Sequence, residues 1–458
     1  MSRIQPARRV AAEVLAAVRE SDAYANLLLP ARIREAQLNP ADAGFATELV
    51  YGTLRMQGYY DRVLELAARR PAGRIDPPVL DVLRLGAHQL LGMRVAAHAV
   101  LDESVELVRR ARKSSAAGFV NGVLRTVSRE TPESWRERAV AGLSGSARLA
   151  VASSHPEWVV DALRDALALE GAEGELEALL AADNDAPRVA LVALPGLADA
   201  TRLEAEGLAP GEVSPLAVRS GGGDPARLPE VAAGRVRVQD EGSQLAALAL
   251  SRARPIAAGE RWLDLCAGPG GKAALLAAEA AAAGAHLVAN ELVPARAGLV
   301  RNAVRVFGDG ADAPEVVEGD GRRFGEAGER FDRILLDAPC TGLGALRRRP
   351  EARWRKSPDD LAALVALQAQ LLDAAVAALA PGGVLAYVTC SPHPAETREQ
   401  VRAALARHPE LRTLDTPAAL ERVARRSLGL PAADSAQLWP HRHGTDAMFV
   451  QLLTRVEA

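Results

Sequence analysis

The sequence predicts a multi-domain protein with an all-α helical bundle, a small α+β linker domain and a doubly wound α/β (Rossmann-like) domain. From residue 5 to about 140, apolar side chains recur at helical spacing. From about residue 236, short apolar runs alternate with alanine-rich helices, which is typical of a parallel sheet. A chain of 458 residues is also long enough for roughly three domains. We place the domains at 1–142, 143–234 and 235–458.

The N-terminal domain is predicted to consist of amphipathic helices with arginines on their polar faces. Helical periodicity covers Ala7–Val18, Ala43–Arg55, Tyr60–Ala68, Pro78–Leu91 and Leu101–Arg112. Residues 1–140 carry 21 Arg and Lys against 16 Asp and Glu, whereas the remaining residues carry 34 against 42. A basic excess on one domain indicates a polyanionic partner such as a nucleic acid.

Cysteine usage and hydropathy limit the class of protein. The three cysteines are far apart and odd in number, so they form neither a disulfide framework nor a zinc motif. We therefore expect a reducing, cytoplasmic setting and no metal. The apolar stretch Val10–Val18 is interrupted by Glu13, so we do not expect it to act as a signal peptide. The sequence has no uninterrupted apolar run of about 18 residues, so we expect no membrane span.

The connecting domain mixes helices with strands. Helical patterns at Pro156–Leu169 and Glu173–Ala182 lead into an alternating segment, Arg188–Leu194. A glycine-rich break at Ser220–Asp224 follows. We interpret this region as a small α+β domain.

Five apolar runs define the strands of the C-terminal domain. They are Arg261–Cys266, Ala285–Asn290, Pro314–Glu318, Arg333–Leu336 and Gly383–Thr389. Ligands of doubly wound sheets bind at the carboxyl ends of the strands. Each strand end is therefore a candidate for part of one site.

The first of these strands leads into a glycine-rich turn and a long helix, which predicts a cofactor site. The turn comprises Cys266, Ala267, Gly268, Pro269, Gly270, Gly271 and Lys272. Glycines let a backbone approach its ligand closely, and a helix N-terminus offers free N–H groups. A phosphate-binding P-loop is excluded because Ala273 stands where Ser or Thr is required. A dinucleotide fingerprint, GxGxxA, nearly fits and stays open at this point.

Two acids at the next strand ends extend this site. Glu291 ends the second strand and is placed to bind ribose hydroxyls, which NAD and S-adenosylmethionine share. Asp320 follows the third strand and could hold an adenine amino group. Lys272 is one of only three lysines, and a cation at a helix N-terminus is electrostatically unfavourable. We expect an anion nearby, such as the carboxylate of a methionine moiety.

Two cysteines at the last two strand ends indicate the chemistry. Asp337 and Cys340 follow one strand, and Cys390 follows the next. A thiolate that attacks carbon 6 of cytosine makes carbon 5 nucleophilic enough to accept a methyl group. An acid near N3 and N4 of the base, here Asp337, would favour the charge that develops on the ring. Two cysteines can divide attack and release between them.

The motifs Asp337-Ala338-Pro339-Cys340 and Thr389-Cys390-Ser391, with the Cys266–Lys272 turn, resemble the Sun/Nop2 family of RNA cytosine-5 methyltransferases. The resemblance implies S-adenosylmethionine as cofactor, Cys390 as nucleophile and Cys340 as the residue that assists release. We also count Arg296 and Asp337 among the expected cofactor-binding residues.

The resemblance covers almost the whole chain. Further similar segments are Val238–Gln244, Arg347–Pro350 with Trp354, and Trp439–Phe449, and the helical segment Gly118–Arg125 resembles NusB-type RNA-binding domains. This arrangement is similar to family members that methylate small-subunit ribosomal RNA. It implies that the basic run Arg347–Arg349 contacts phosphate and that the Trp439–Phe449 segment ends in an edge strand. The family often follows the second cysteine with a Pro-Glu-Glu-Asn-like run; in Pro394–Thr397 only Pro394 and Glu396 match it, and we assign this loop no role.

Three other functions are compatible with parts of the sequence. The substrate could be transfer RNA, since only analogy links the NusB-like domain to ribosomal RNA. A nicotinamide dehydrogenase would leave both strand-end cysteines unexplained. A catalytically dead RNA-binding assembly factor would have no need of Asp337, Cys340 and Cys390 together. We expect RNA as the partner, with neither DNA nor a membrane involved.

Overall fold

The computed structural model describes residues 4–21, 23–93, 95–310, 313–326 and 328–456. The chain divides into two compact units. The first comprises Met1–Arg164, Leu176–Ala186 and Leu346–Arg355, and the second comprises Asp165–Glu175, Pro187–Ala345 and Lys356–Ala458. The fold class is confirmed, with an N-terminal helical region and a C-terminal α/β sheet domain. The three domain boundaries stay a prediction.

The first unit is helical. Its helices are α1 (Pro6–Glu20), α2 (Ala25–Glu35), α3 (Pro40–Arg55), α4 (Gln57–Ala68), α5 (Pro77–Leu91), α6 (Ala97–Arg110), α7 (Ala117–Val127), α8 (Pro132–Val140), α9 (Gly145–Ser153), the start of α10 (Glu157–Ala168) and α11 (Leu176–Ala182). Asn39 and Thr131 cap α3 and α8 by accepting a backbone N–H with their side chains, and a proline follows each cap. Apolar residues from α1 to α8 form one core.

The expectation that arginines lie on the polar faces is wrong for two of them. Arg8 and Arg55 are 5% and 7% exposed. Arg8 enters the core because Glu103 and Gln89 accept hydrogen bonds from its guanidinium at 2.7 and 2.6 Å. Buried charge of this kind survives only when it is paired and hydrogen-bonded.

The second unit contains two sheets. The smaller has the strand order β2-β3-β1-β4 and is antiparallel throughout. Its elements are β1 (Ala190–Ala193), α12 (Ala200–Ala205), β2 (Ala209–Pro210), β3 (Ala217–Arg219), α13 (Pro229–Ala232) and β4 (Val236–Val238). The predicted strand Arg188–Leu194 is thus β1 with its ends trimmed.

The larger sheet carries the candidate site. Its elements in chain order are α14 (Glu241–Ser251), β5 (Arg261–Asp264), α15 (Gly271–Ala282), β6 (His286–Glu291), α16 (Pro294–Val304), β7 (Glu315–Glu318), β8 (Phe331–Asp337), α17 (Pro358–Ala378), β9 (Leu379–Thr389), α18 (Arg398–Arg407), β10 (Leu411–Thr413), α19 (Thr416–Val423), β11 (Ala436–Gln437), α20 (Pro440–His443) and β12 (Phe449–Arg455). The strand order is β10-β12-β9-β8-β5-β6-β7, and β11 pairs with β12. From β7 to β9 all pairs are parallel.

This order brings the predicted site segments to one edge of the sheet. β5 lies between β6 and β8, and β9 lies beside β8. The carboxyl ends of parallel neighbours meet at the same edge. The turn after β5 and the two cysteine loops after β8 and β9 are therefore adjacent.

The prediction that the C-terminal segment ends in an edge strand is wrong. β12 pairs antiparallel with β9 on one side and with β10 on the other. β11 pairs with the start of β12 at Phe449 and Val450, and β10 pairs with its end from Leu453 to Arg455. These two short strands cover the edge that β12 would otherwise expose, and five consecutive residues, from Phe449 to Leu453, are buried.

Within the described residues, α17 is long and apolar enough to cross a membrane. It begins with a capping box between Ser357 and Asp360. Its second half contributes Leu371, Leu372 and Val376 to the core under the sheet. The core helix of an α/β domain can be equally long and apolar.

Candidate active site

The turn after β5 is shaped by two of the predicted cofactor residues. Glu291 is buried, and its Oε2 accepts the Gly268 N–H at 3.0 Å. Arg296 donates to the Gly268 carbonyl at 2.6 Å. A Cβ on Gly268 would lie 2.2 Å from Glu291 Oε2, so any larger residue here would have to displace the Glu291 carboxylate. Gly270 has φ +101° and caps α15, and a Cβ there would meet Ala303 at 2.5 Å.

The other strand ends on this side also carry polar groups. Asn290 Oδ1 is buried without a hydrogen-bond partner, and a Cβ on Gly319 would lie 3.3 Å from it. The adjacent Asp320 carboxylate is bonded to Arg322, which lowers the pKa of Asp320. The buried side-chain amide of Gln239 lies near Gly271 and also has no partner. Gln239 is a candidate that the sequence analysis did not single out.

The anion that pairs with Lys272 is a side chain of the protein itself. Its Nζ lies 2.8 Å from Asp337 Oδ2 and donates to Ser243 Oγ at 3.3 Å. Burial alone would lower the pKa of Lys272, but the Asp337 carboxylate raises it above its ordinary value. The ion pair therefore connects the cofactor turn to the end of β8, where the cysteine chemistry was predicted.

Asp264, at the end of β5, gives a pH-dependent prediction. Burial, followed by the charge of Asp337, raises the pKa of its carboxyl to about 8. An unfolded Asp titrates near pH 4. Between about pH 4 and 8 the folded protein therefore keeps a proton that the unfolded chain releases, and stability falls as the pH rises through this window.

Asp264→Asn should remove that dependence. The difference in unfolding free energy between wild type and variant is expected to change by up to about 1.4 kcal/mol per pH unit. Denaturant unfolding from pH 5 to 8 measures it, with the partly exposed Asp332→Asn as control. Parallel pH profiles for wild type and Asp264→Asn would show that the carboxyl is not held neutral.

The two strand-end cysteines are in contact. Their Sγ atoms are 3.4 Å apart, within the range of a sulfur hydrogen bond. This hydrogen bond and burial raise the pKa of the Cys340 thiol well above its ordinary value. Both residues are half-buried. The third cysteine, Cys266, lies in the turn after β5, and burial raises its pKa as well.

Comparisons with known proteins agree with this geometry. The sequence model of the family "16S rRNA methyltransferase RsmB/F" matches residues 254–454, and that of the NusB family matches residues 5–129. Ribosomal RNA small subunit methyltransferase B of Pseudomonas putida is 34% identical over 470 residues, which cover 98% of this chain and 99% of that protein. The chain belongs to the RsmB/F methyltransferase family.

Two further relatives extend this result. The Mycobacterium tuberculosis protein Rv1407, named as a methyltransferase, is 49% identical over 460 residues, which cover 99% of this chain and 97% of its own. The crystal structure of PH0851 has the same fold, with a TM-score of 0.81 and 22% identity over 99% of both chains. The NusB resemblance of the N-terminal helices is confirmed.

Beneath the cysteines, this RsmB/F methyltransferase has a polar cluster that the sequence analysis missed. Thr341 and Ser391 directly follow the two cysteines, and their hydroxyl oxygens are 3.0 Å apart. Glu396, which is fully buried, accepts both the N–H and the hydroxyl of Thr341. We call Thr341, Ser391, Glu396 and the adjoining Gln368 the Glu396 cluster. The altered loop Pro394–Thr397, to which no role was assigned, supplies its carboxylate.

Gly344 joins the two cysteine loops through the backbone. Its N–H donates to the Cys390 carbonyl at 2.8 Å, and its carbonyl accepts from the Ala447 N–H at 2.8 Å. A Cβ on Gly344 would lie 2.1 Å from the Ala447 oxygen and 2.8 Å from the Cys390 oxygen. Both contacts are with backbone, so neither can give way cheaply.

Gly344→Ala should therefore displace the Cys390 loop. We expect methyltransferase activity to fall about 100-fold, which is the scale of a displacement of about 1 Å in an active site. The control is Gly298→Ala in α16, where an added Cβ has open space. Circular dichroism and activity are measured together, and a folded Gly344→Ala protein with normal activity would rule out this tight contact.

The predicted basic run after Cys340 does not form an exposed strip. Arg347 is buried, and Arg353 is fully buried in the first unit. Arg353 donates to the carbonyls of Ser154 and Asp183, and burial lowers its pKa to about 10. Arg349 is exposed and lies over the Tyr24 ring. The segment Leu346–Arg355 thus packs as part of the helical unit. Phosphate contact stays a prediction for the half-buried Arg348 and the exposed Arg349.

Proposed function

We propose that this protein methylates carbon 5 of a cytosine in small-subunit (16S) ribosomal RNA, with S-adenosylmethionine as methyl donor. The observation that carries the proposal is the contact between Cys340 and Cys390, at 3.4 Å, beside the turn after β5. A single cysteine would suffice for attack alone. Two adjacent thiols allow one to attack and the other to assist release.

The residues around the turn suit S-adenosylmethionine. Glu291 would bind the ribose hydroxyls, Asp320 the adenine amino group, and the Cys266–Lys272 turn the methionine end, with Arg296 holding the turn in shape. Asn290 Oδ1 and the Gln239 side-chain amide, which have no hydrogen-bond partner, supply further polar groups on the same side. When bound, this cofactor supplies a methyl group on a sulfonium. Among the described residues, no group of three or more His, Cys, Asp or Glu could hold a metal.

In the proposed reaction, Cys390 acts first. Its thiolate forms a bond to carbon 6, and the electrons of the carbon 5–carbon 6 double bond move to carbon 5, which takes the methyl group. Asp337 is held through Oδ2 by Lys272, which leaves its other oxygen to bind N4 or a proton shared with N3. The base must be flipped out of any helix to reach these groups.

Cys340 then completes the reaction. As a base it removes the proton from carbon 5, the double bond re-forms, and the Cys390 thiolate leaves carbon 6. The hydrogen bond with Cys390 raises the pKa of Cys340, so Cys340 begins as a thiol. Once Cys390 is bonded to carbon 6, Cys340 must first give its own proton to solvent, and its thiolate then takes the carbon 5 proton. One proton is released in each turnover, and both cysteines return to their starting forms.

Two alternatives remain for the substrate and the activity. A transfer RNA cytosine would need the same chemistry, and what favours ribosomal RNA is the name of the Pseudomonas putida relative together with the NusB-family match. A dead RNA-binding factor would not need the thiol contact. In either case we propose that the protein works in the cytoplasm, where its thiols stay reduced.

The test compares substrates directly. Purified protein is incubated with methyl-labelled S-adenosylmethionine and either small-subunit ribosomal RNA or transfer RNA, both from a strain that lacks the gene. The proposal expects 5-methylcytidine in the ribosomal RNA and a matching loss at one position in bisulfite sequencing of the deletion strain. Label in transfer RNA alone would identify transfer RNA as the substrate. Label in neither RNA would favour a catalytically dead RNA-binding factor.

RNA binding should depend steeply on salt. Phosphate contacts release counterions, so RNA affinity should fall by several orders of magnitude between about 50 and 200 mM salt if six or more phosphates are bound. Filter binding across that range measures the slope. An RNA affinity that does not change with salt would contradict the proposed phosphate contacts.

A further inference from the structure

Glu396 is a buried carboxylate outside the motifs of the proposed reaction. Its side chain is fully buried, and its oxygens accept three hydrogen bonds. The donors are the Thr341 N–H at 2.8 Å, the Thr341 hydroxyl at 2.5 Å and Gln368 Nε2 at 3.1 Å. A carboxylate can only accept, so three donors around it match its chemistry. Burying a carboxylate is costly unless it is bonded in this way.

These bonds fix the direction of a hydrogen-bond chain. The Thr341 hydroxyl has one hydrogen, and it points to Glu396 Oε2. The Thr341 oxygen can therefore only accept from Ser391, whose hydroxyl is 3.0 Å away. The chain runs from Ser391 through Thr341 to Glu396. It joins the residue after Cys390 to the residue after Cys340.

The same group is anchored to the sheet and to α17. Tyr387 in β9 donates its hydroxyl to the Glu396 carbonyl at 2.8 Å. Gln368 in α17 donates to the Pro339 carbonyl, directly before Cys340, at 2.8 Å. The Glu396 cluster is thus bonded to both cysteine loops and rests on rigid elements. Glu396 and Gln368 do not need to touch RNA for this role.

We propose that Glu396 is a positioning residue: through Thr341 and Ser391 it holds the two cysteine loops at the spacing that lets Cys390 attack and Cys340 assist release. This inference rests on the proposed division of roles between the two cysteines. A misplacement of about 1 Å at a reacting group can cost about 100-fold in rate. Loss of the cluster should therefore impair methyl transfer more than RNA binding.

The thiol spacing can be measured without RNA or cofactor. Diamide oxidises two neighbouring thiols to a disulfide and takes up their two protons and two electrons to become a hydrazine. Intact mass spectrometry follows the loss of two hydrogens, and peptide mapping assigns the bond between Cys340 and Cys390. The rate of closure reports how often the two Sγ atoms meet.

Thr341→Val is the decisive variant because it removes the hydroxyl but keeps the volume and the Glu396 charge. We expect slower disulfide closure and a lower rate of methyl transfer, each by about tenfold or more, with RNA affinity unchanged. Thr341→Ser keeps the hydroxyl and should restore both rates. Glu396→Gln, with Glu410→Ala as a control in the loop before β10, tests the carboxylate itself and should also slow closure.

Each outcome decides one claim. If Thr341→Val and Glu396→Gln are folded by circular dichroism and close the disulfide at the wild-type rate, Glu396 does not position the cysteines. If closure slows but methyl transfer does not, the positioning stands and the proposed roles of the cysteines fail. If Glu396→Gln does not fold, the Thr341→Val and Thr341→Ser pair still decides the result.

Discussion

Cys390→Ala is expected to abolish methylation and covalent attachment to RNA, whereas Cys340→Ala should accumulate a protein–RNA adduct. In the first variant no thiolate can form the bond to carbon 6. In the second, attack and methyl transfer proceed, but no base removes the carbon 5 proton, and the product stays attached to Cys390. A slowly migrating band on a denaturing gel, in the presence of S-adenosylmethionine, measures the adduct.

The double variant and a surface control complete this experiment. Cys340→Ala with Cys390→Ala should give no band, and Ser427→Ala, on an exposed loop, should behave as wild type. A band from Cys390→Ala and none from Cys340→Ala would reverse the two roles. A structured target should also react more slowly than an unpaired one, because the base must leave its stack to reach the thiols.

Lys272→Met is expected to cause a similarly large loss. Removing one partner of a fully buried ion pair costs about 3–5 kcal/mol, and the cost here should be smaller because the Asp337 side chain is 27% exposed. The Asp337 carboxylate would then lack its partner. Its charge already raises the pKa of the nearby Asp264 carboxyl. Cofactor affinity by calorimetry and activity should both fall strongly.

The scarcity of lysine provides matched controls. Lys356→Met lies outside the site and should leave activity unchanged. Lys272→Arg should fail like Lys272→Met, since a planar guanidinium cannot replace a compact ammonium in the space between Asp337 and Ser243. An active Lys272→Arg protein would show that only the charge matters.

Periodicity predicted the elements of the fold well because each depends on local sequence. All five predicted strands are present as β5 to β9, and the amphipathic segments form helices. The predicted cofactor residues Glu291 and Arg296 both contact the Gly268 backbone. Strand ends could be matched to a site because parallel topology brings them together.

The features that the sequence did not predict depend on contacts between distant segments. Glu396 is 55 residues from Thr341, and nothing local marks it as the acceptor for that side chain. In the sequence, Arg353 looks like an ordinary surface arginine. Its burial follows from the Ser154 carbonyl, 199 residues earlier, to which it donates. Arg353 also donates to the Arg55 carbonyl, so deletion of residues 1–142 would remove one partner of a buried arginine and is a poor test of RNA binding.

The central claim is that Cys390 is the residue that bonds to cytosine. RNA in which 5-fluorocytidine replaces cytidine traps the intermediate, because fluorine at carbon 5 cannot leave as a proton does. The wild-type protein is incubated with this RNA and S-adenosylmethionine, digested, and mapped by mass spectrometry. We predict the nucleotide on the peptide that contains Cys390, and a nucleotide on the peptide that contains Cys340 would contradict the account.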